Sequence, residues 1–543
     1  MNGTMQDHPL TLQHVLWRAG HLFAGKEIVT RVAGGVARST YGDFSRRVDR
    51  LATALRHLGV GPGDRVATLC WNNQRHLEIY YAVPCMGAVL HTLNLRLFPN
   101  QLEFIVRDAA DKILFVDQSL VPVLERLAGR MPSVQALVVI GDGTPAGAHG
   151  LGDTLDYEAL LAAAGEGFDW PPLDERSAAG LCYTSGTTGN PKGVAYSHRS
   201  QFLHTMGVMQ ADSLAIGERD VILPAVPMFH ANSWGIPYAA GMSGATLLMM
   251  DRWAGDAEAI VDLAASEHAT IMAGVPTIWA GVLGVMERTG RRLPEVTRIL
   301  CGGSAVPATL MEGMDRMGLT LLHAWGMTET SPVATLARPR SWQSGADESR
   351  ARISQGAAVA GMDIRIADGA TGEILPWDGE AFGEVQVRGP WVAAEYVNGA
   401  DSGRLTDDGW FRTGDVATVD ADGYVRIVDR TKDLIKSGGE WISSVELENA
   451  IMAHPKVLEA AVIAVGHPKW QERPVAYVVP RAEFKASTTQ KEILDFLRDM
   501  VAGWWLPDEI RFIDEVPKTS VGKFDKKVLR AGAAPLEGAP PSG

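Results

Sequence analysis

The chain has 543 residues, of which 46% are hydrophobic and 21% charged, a composition typical of a soluble globular protein. Because one hydrophobic core does not extend over so many residues, at least two domains are expected. The net charge of −14 argues against a protein that binds nucleic acid broadly.

The cysteines and the apolar segments indicate the cellular compartment. The four cysteines lie far apart without a C-x-x-C pair, which is typical of buried reduced thiols and excludes a disulfide framework or a cysteine zinc site. Residues 1–10 lack the features of a secretory signal, and the longest apolar stretch, residues 236–250, is too short to span a bilayer. We expect a cytoplasmic protein without an integral membrane segment, while peripheral membrane contact stays open.

The N-terminal third predicts alternating strands and helices. Hydrophobic spacing predicts helix from Thr11 to about Leu58, and residues 59–64 (G-V-G-P-G-D) form a turn that precedes a strand, unlike a dinucleotide-binding loop. This alternation is typical of α/β layers with largely parallel strands. The predicted elements are strands at 64–70, 88–93, 113–116 and 136–140 and a helix from Asn73 to Gly87.

A glycine- and hydroxyl-rich loop follows, at Tyr183–Val194 (Y-T-S-G-T-T-G-N-P-K-G-V), between two apolar runs. The pattern predicts strand–loop–strand, with backbone N–H groups and hydroxyls converging on an anion and Lys192 adding a point charge. That chemistry fits the polyphosphate of a nucleotide. The candidate nucleotide-binding residues are Thr184, Ser185, Gly186, Thr187, Thr188, Gly189 and Lys192.

This loop is not a Walker A loop, because Pro191 precedes the lysine and Gly193 follows it, where a P-loop requires G-K-[ST] entering a helix. It closely resembles the phosphate-loop signature of the adenylate-forming superfamily, which comprises acyl-CoA synthetases, luciferases and the adenylation domains of peptide synthetases. The resemblance implies a large N-terminal α/β domain of layered sheets and helices with a β-rich subdomain, and a small α+β C-terminal domain joined by a hinge.

Val221–His230 (V-I-L-P-A-V-P-M-F-H) predicts a strand that stops at a cleft. It resembles the family's P-M-F-H element, which implies that His230 and Ala231 border the acyl and adenylate pocket and that His230 is catalytic. In long-chain members, the position of Trp234 resembles a gate to the acyl tunnel. From the residues alone, His230 could equally be structural and Trp234 part of the core.

The segment Leu321–Pro332 (L-L-H-A-W-G-M-T-E-T-S-P) resembles the family's Y-G-M-T-E element, with Trp325 where tyrosine is commonest. The preceding strand, Arg298–Val306, contains Gly302 and Gly303, which leave room for a planar base. The resemblance implies that Gly303, His323, Ala324 and Trp325 surround adenine, that Thr328 meets the α-phosphate, and that Glu329 with Thr184 holds Mg²⁺. Alternatively, Glu329 caps a helix.

Three segments with D-G or glycine turns predict β-hairpins, at residues 383–389, 408–415 and 422–430. By resemblance, Asp415 accepts hydrogen bonds from the ribose hydroxyls, and Arg430 assists it.

Residues 429–433 (D-R-T-K-D) resemble the family's hinge, between a large domain at 1–428 and a small mobile domain at 434–530. The resemblance implies that Lys432 is the pivot, where aspartate is often found, and that Lys432 and Lys436 contact the nucleotide. A loop with Gly438 and Gly439, followed by Trp441, faces the incoming thiol.

The C-terminal segment alternates helices and strands again, as expected for a small α+β domain. The predicted elements are helices at 444–452 and 491–501 and strands at 460–465, 476–480 and 509–513. Pro517–Lys523 (P-K-T-S-V-G-K) resembles the family's closing motif, which implies that Lys523 lies over the reacting carboxylate. Residues 531–543, rich in Ala, Pro and Gly, are expected to be disordered.

Together the resemblance implies an ATP-dependent acid–thiol ligase that uses ATP, Mg²⁺ and CoA. A carboxylate attacks the α-phosphate of ATP, with charge neutralised by Lys192, Glu329 with Mg²⁺, and Lys523. A thiol then attacks the acyl-AMP. No carrier-protein module follows Arg530, which favours free CoA as the acceptor, and a homodimer stays possible.

The motifs most resemble those of medium- to long-chain fatty-acyl-CoA synthetases. Alternative substrates are methylthiopropionate, aromatic acids and terpenoid acids. A light-emitting relative is disfavoured because the usual peroxisomal tripeptide is absent. A non-catalytic nucleotide sensor predicts loss of the functional charged residues, yet Lys192, Glu329, Asp415 and Lys523 are all present.

Overall fold

The computed structural model describes residues 1, 3–141, 153–184, 190–369, 371–430, 432–437, 440–498, 500–518 and 524–533. The strands in this part of the chain are β1 (Glu27–Val32), β2 (Gly35–Thr40), β3 (Arg65–Leu69), β4 (Val89–Thr92), β5 (Ile113–Asp117), β6 (Ala136–Ile140), β7 (Leu155–Asp156), β8 (Ala178–Tyr183), β9 (Gly193–Ser197), β10 (Val221–Pro224), β11 (Thr246–Met249), β12 (Ile271–Gly274), β13 (Arg298–Cys301), β14 (Leu321–Gly326), β15 (Val333–Leu336), β16 (Ala357–Ala358), β17 (Asp363–Ala367), β18 (Phe382–Arg388), β19 (Phe411–Val419), β20 (Val425–Arg430), β21 (Ile435–Ser437), β22 (Glu440–Ile442), β23 (Val457–His467), β24 (Gln471–Pro480) and β25 (Glu509–Phe512).

The α-helices of the described chain are α1 (Leu12–Trp17), α2 (Tyr41–His57), α3 (Gln74–Cys85), α4 (Pro99–Ala109), α5 (Val121–Glu125), α6 (Tyr157–Ala163), α7 (His198–Met209), α8 (Ile236–Ser243), α9 (Ala257–Ser266), α10 (Pro276–Thr289), α11 (Ala308–Arg316), α12 (Ala346–Ile353), α13 (Ser444–Met452), α14 (Gln490–Leu497) and α15 (Lys526–Ala531). Within this part of the chain, none of the helices combines the length and apolarity that crossing a lipid bilayer requires.

Two large sheets form the body of the N-terminal domain. Among the described residues, one sheet has the strand order β7-β6-β5-β3-β4-β8-β9 and the other β16-β15-β14-β13-β12-β10-β11-β1-β2. In the first sheet the pairs are parallel except for β8 with β9. In the second sheet the central strands β10 to β14 and β1 pair in parallel. The predicted α/β class is confirmed.

The alternating direction of side chains along each strand explains why apolar residues pack on both faces of each sheet. Ile113 and Phe115 of β5 belong to the largest core cluster, which lies between the two sheets, whereas Leu114 and Val116 pack in a separate cluster with α4 and α5. Likewise, Met272 of β12 packs with α9, α10 and α11 on the outer face of the second sheet. Successive strand residues face opposite sides, so these near-continuous apolar strands require cover on both.

The remaining sheets complete the molecule. Strands β17 to β20 form an antiparallel sheet that supplies the β-rich subdomain. Strands β21 to β25 form the sheet of the small C-terminal domain, with apolar clusters on both faces. The predicted small α+β domain is confirmed. The disorder predicted for residues 531–543 is wrong at Ala531, which ends α15, and residues 534–543 lie outside the described residues.

The prediction of continuous helix from Thr11 to Leu58 is wrong in its middle. Residues 27–40 form the β1–β2 hairpin, which turns at Gly34, where φ is 83°, and β1 pairs in parallel with β11. The β-branched residues Ile28, Val29 and Thr30 of β1 favour a strand, and the pairing with β11 is a contact between distant segments. The predicted strand at Val221–His230 is also too long, since β10 ends at Pro224.

Candidate active site

A cavity of about 180 Å³ lies where several parallel strands of the second sheet end. Its walls come from the segments that follow β8, β10 and β13, from the end of β14, and from the antiparallel subdomain. In open α/β sheets, the carboxyl ends of strands are the usual place for a ligand. The sequence-predicted residues that line it are Thr184, Lys192, His230, Ala231, Trp234, Gly303, Ala324, Trp325, Thr328, Glu329 and Arg430.

The β8–β9 hairpin positions Thr184 and Lys192. Tyr183 and Gly193 are paired, the Thr184 N–H donates to the Lys192 carbonyl at 2.8 Å, and the Lys192 N–H donates to the Thr184 hydroxyl at 3.4 Å. These bonds close the base of the predicted phosphate loop. The candidate residues Ser185, Gly186, Thr187, Thr188 and Gly189 lie outside the described residues.

The side chain of Lys192 contacts two residues that the sequence analysis missed, Asp401 and Tyr396, and a third, Arg404, contacts Asp401. Its Nζ pairs with the carboxylate of Asp401 and lies 5.3 Å from the centroid of the Tyr396 ring. The Arg404 Nε donates to the same Asp401 oxygen at 2.9 Å, and Tyr396 and Arg404 both line the cavity. The sequence carried no signal for them, because they lie in an irregular segment before the R-T-G-D motif.

Glu329 lies in a short 3-10 turn after β14 and is only 6% exposed. Its carboxylate accepts a hydrogen bond from the Tyr396 hydroxyl, and its carbonyl accepts the Ala393 N–H at 2.7 Å. Burial raises the pKa of Tyr396, so this phenol stays a donor at neutral pH. The Tyr196 hydroxyl donates to the Thr328 carbonyl at 2.8 Å, which fixes the turn from the β9 side.

Asp415 lies on β19 and is held from two sides. It accepts from the Trp325 indole Nε1 at 2.9 Å and from the Arg430 Nε at 3.1 Å. Its own N–H donates to the Thr413 hydroxyl at 3.1 Å. A buried carboxylate held by two donors retains acceptor capacity, because each oxygen offers two lone pairs. This cluster can therefore bind a diol beside the flat face of an aromatic side chain.

A left-handed turn forms the wall after His230. Residues 231–235 all have positive φ, between 43° and 76°, although only Gly235 among them is a glycine. Left-handed backbone costs about 1–2 kcal/mol for each non-glycine residue, and such strain is concentrated at functional sites. The turn directs the Trp234 indole to within 3.5 Å of the position that a Cβ at Gly302 would occupy.

Several predicted residues lie away from the cavity or outside the described chain. The imidazole of His323 is buried and contacts the Ile353 carbonyl at 3.2 Å, and burial lowers its pKa to about 4. Lys432, Lys436 and Trp441 are exposed, and they are not part of the cavity lining; Lys436 Nζ lies 5.4 Å from the centroid of the Trp441 ring. Gly438, Gly439 and Lys523 lie outside the described residues.

The candidate magnesium ligands are Glu329 and Thr184, and both line the cavity. The described residues contain no group of three or more His, Cys, Asp or Glu side chains that could enclose a metal ion. Among the described residues that line the cavity, Glu329 supplies a buried carboxylate and Thr184 a hydroxyl. That donor set fits Mg²⁺, which is usually bound through one or two carboxylates together with substrate phosphates.

Comparison with known proteins relates this geometry to a family. Residues 16–397 match the model of the AMP-binding enzyme family, and residues 446–523 match the AMP-binding enzyme C-terminal domain. A long-chain-fatty-acid–CoA ligase of Thermus thermophilus is 46% identical, over 97% of this chain and 96% of its own. A 3-methylmercaptopropionyl-CoA ligase of Ruegeria pomeroyi is 44% identical, over 98% of each.

The fold matches solved structures as well. The crystal structure of an anthranilate CoA ligase in complex with anthranoyl-AMP superposes with a TM-score of 0.85 at 26% identity, covering 97% of this chain and 98% of the other. Both family models are matched in the expected order along the chain, and the relatives align over nearly its whole length. The chain belongs to the AMP-binding enzyme family.

Proposed function

We propose that this enzyme is an AMP-forming acid–CoA ligase, which activates a carboxylic acid with ATP as acyl-AMP and transfers the acyl group to CoA. The observation that carries the proposal is one cavity lined by the phosphate-loop lysine Lys192, the acidic Glu329, and Trp325 and Arg430, which both hold Asp415 behind the lining. These groups match the polyphosphate, the metal-binding phosphates and the nucleoside of ATP. The relatives named as CoA ligases support the thiol acceptor.

Electrostatic repulsion between the carboxylate and the phosphates limits the first half-reaction. A carboxylate is a weak nucleophile towards a polyanion, so the enzyme must neutralise the phosphates and align the acid with the α-phosphorus. Lys192 and Arg404 supply positive charge on the cavity wall, while Asp415 and Trp325 fix the nucleoside. Magnesium, held by Glu329 and Thr184, would add positive charge at the phosphate oxygens when bound. Lys523, outside the described residues, is proposed to complete the charge around the reacting carboxylate.

The second half-reaction requires access for a thiol. We propose that the small domain turns about residues 429–433, so that Lys523 serves adenylation and the segment around Lys436 and Trp441 serves thiol transfer. The exposed positions of Lys436 and Trp441 are consistent with a role in another orientation of that domain. His230, on the cavity wall beside the left-handed turn, is proposed to border the path of the thiol and acyl groups. The cytoplasm is the compartment we propose, since the four cysteines are buried free thiols.

For the acid, we propose a medium- or long-chain fatty acid. Support comes from the apolar side of the cavity, where Ala231, Trp234 and Val333 lie, and from the Thermus relative. A second candidate is a short methylthio acid. It is favoured by the position of Trp234, whose indole lies within 3.5 Å of the position that a Cβ at Gly302 would occupy, and by the Ruegeria relative.

The proposed function is tested by ATP–pyrophosphate exchange with acids from acetate to oleate, 3-methylmercaptopropionate and aryl acids, then repeated with CoA to detect acyl-CoA. Exchange with at least one acid and CoA-dependent release of AMP are expected. Absence of exchange with every acid would contradict the assignment.

Trp234→Ala distinguishes the two acid classes. If the substrate is a long alkyl chain that must displace the indole, kcat/KM for decanoate or oleate should rise several-fold, because no side chain needs to turn away. If a short acid packs against the indole, removing this contact should lower kcat/KM for 3-methylmercaptopropionate about tenfold, the loss expected for one large apolar contact. Trp342→Ala, at a position 73% exposed, is the matched control.

A further inference from the structure

Two of the cations that line the cavity are bound by a carboxylate of the protein itself. The Lys192 Nζ and the Arg404 Nε both contact Oδ2 of Asp401. Both contacts are charge-assisted hydrogen bonds, the strong kind. Lys192 and Arg404 are among the cavity-lining residues, as is Tyr396, whose ring lies beside the lysine. The positive charge of these two side chains is therefore already paired.

Arg404 also connects the two ends of the site. Its Nη1 donates to the Arg412 carbonyl at 3.3 Å and lies 3.3 Å from the position a Cβ at Gly414 would occupy. Gly414 immediately precedes Asp415, the residue held by Trp325 and Arg430. A chain of contacts thus runs from the nucleoside cluster through Arg404 and Asp401 to Lys192. In this chain of contacts, Arg404 lies between Asp415, where we propose that the nucleoside binds, and Lys192, where we propose that the phosphates bind.

We propose that Asp401 is an internal competitor for the nucleotide phosphates: its carboxylate occupies Lys192 and Arg404 until a polyphosphate displaces it, and Arg404 is a further phosphate-binding residue. This inference rests on the proposed function. The carboxylate keeps the two cations oriented towards the cavity. It also lowers the affinity for phosphate, since the pairs with Asp401 must break first, and it re-forms those pairs when pyrophosphate leaves.

The position of Asp401 fits displacement better than a fixed structural pair. Its side chain is one-third exposed, so it can turn to water without leaving a buried charge unpaired. It lies in a surface turn with φ of 54°, outside any regular element that would fix it. A single carboxylate carries one negative charge, whereas a triphosphate carries several. The polyphosphate therefore binds the two cations more strongly than the Asp401 carboxylate does.

The test compares the affinities of three probes, ATP, inorganic pyrophosphate and adenosine, measured by calorimetry on the full chain. For Asp401→Asn, the Kd of ATP and of pyrophosphate should fall about fivefold, the size expected for releasing partly exposed ion pairs. For Arg404→Gln, both values should rise about tenfold or more, because a charge-assisted hydrogen bond is lost. Adenosine binding should stay the same in both variants, since it has no phosphate.

Controls separate this effect from net charge and from misfolding. Asp407→Asn removes the same charge from an exposed position of the same segment and should leave the Kd of ATP unchanged. Arg404→Lys should recover part of the loss seen with Arg404→Gln, and thermal unfolding verifies that each variant is folded.

Unchanged or weaker ATP binding by Asp401→Asn would overturn the competitor role. A carboxylate that only orients the two cations strengthens ATP binding in the parent, so its removal would not improve the affinity. Unchanged binding by Arg404→Gln would remove Arg404 from the phosphate site. If the parent protein itself bound no ATP, the proposed function would fail, and this inference with it. These outcomes are distinguishable, since the last is read from the parent alone.

Discussion

At the scale of single residues, the nucleoside end of the site depends on how Asp415 is oriented. The Trp325 indole and the Arg430 guanidinium donate to its two oxygens, at 2.9 and 3.1 Å. The indole ring also forms part of the cavity wall. Trp325 therefore couples the position of a planar base to the position of the carboxylate that we propose binds the ribose.

Trp325→Phe should keep the ring contact and remove the donor to Asp415. The Kd of AMP is expected to rise about tenfold, because a hydrogen bond to a charged group contributes about 1.5–3 kcal/mol. Calorimetric titration with AMP measures the change. Trp342→Phe, at an exposed position, is the control. The Kd of AMP for Trp325→Tyr should fall between those of the parent and Trp325→Phe, since the tyrosine hydroxyl can also donate. An unchanged Kd in Trp325→Phe would mean that the indole N–H does not orient the carboxylate.

At the scale of elements, Trp325 lies on β14 and Glu329 in the turn that joins β14 to β15. The two strands are antiparallel, with a register shift between Trp325 and Gly326. A Cβ added at Gly326 would lie only 1.7 Å from the Pro332 carbonyl oxygen, so the backbones approach each other as only glycine permits. This close approach sets the spacing between the aromatic side chain and the acidic side chain of the site.

Gly326→Ala should therefore separate the two strands and displace Glu329. We expect an apparent Tm lower by several degrees and ATP binding weakened beyond detection, as backbone clashes typically cost more than about 2 kcal/mol. Differential scanning calorimetry and an ATP titration measure these effects. Gly284→Ala, in α10 where a Cβ meets nothing within 4 Å, should be neutral or slightly stabilising. Equal behaviour of the two variants would contradict the prediction.

At the scale of the whole molecule, a buried charged cluster joins the small domain to Asp429, the first residue of the proposed hinge. The Lys526 Nζ lies 2.6 Å from Glu448 and 2.5 Å from the Ser444 hydroxyl. Asp429, at the end of β20, accepts the Ser444 N–H at 2.6 Å at the start of α13. Burial raises the pKa of Glu448 and of Asp429, and the Lys526 charge opposes that rise.

Lys526→Met should leave these carboxylates buried without a cation. Removing one partner of a buried ion pair costs about 3–5 kcal/mol, so the small domain should unfold at lower temperature and become sensitive to protease. Limited proteolysis followed by mass spectrometry measures cleavage within residues 434–530. Lys527→Met changes an exposed neighbour and should leave the pattern unaltered. Resistance to protease equal to that of the parent would show that Lys526 contributes little to the stability of the small domain.

Buried histidines predict the pH dependence of stability. Burial lowers the pKa of four of them, to about 4 for His76, His198 and His323 and to about 3 for His204. In the unfolded chain they bind protons near pH 6.5, so stability present above that pH is lost as the pH falls towards 4. Each contributes up to about 1.4 kcal/mol per pH unit.

The apparent Tm should therefore fall between pH 6.5 and 4.5. Asp117 acts in the opposite direction, because burial raises its pKa to about 7 and its protonation in the folded state adds stability as the pH falls below 7. His204→Asn should flatten the decline, and Asp117→Asn should steepen it. A Tm of the parent that stays constant or rises upon acidification would contradict the prediction that these buried histidines lower the stability in acid.

Much of the fold could be predicted from the sequence because its signals are local. The β8–loop–β9 hairpin follows from glycines and hydroxyls between two apolar runs, and α13 follows from its apolar spacing. The β1–β2 hairpin was missed because its strand character depends on pairing with β11, more than 200 residues away. The same limit applied to the site: its motif residues were named in advance, but Asp401, Arg404 and Tyr396 were not.

The sequence by itself determined the α/β class, the small C-terminal domain and the family, since these are carried by periodicity and by motifs of adjacent residues. Only the tertiary structure decided which charges are paired. Trp325 and Asp415 are 90 residues apart, and Lys192 and Asp401 are 209 apart. Such pairs form because packed sheets bring loop ends together, and no local pattern specifies a partner at that separation.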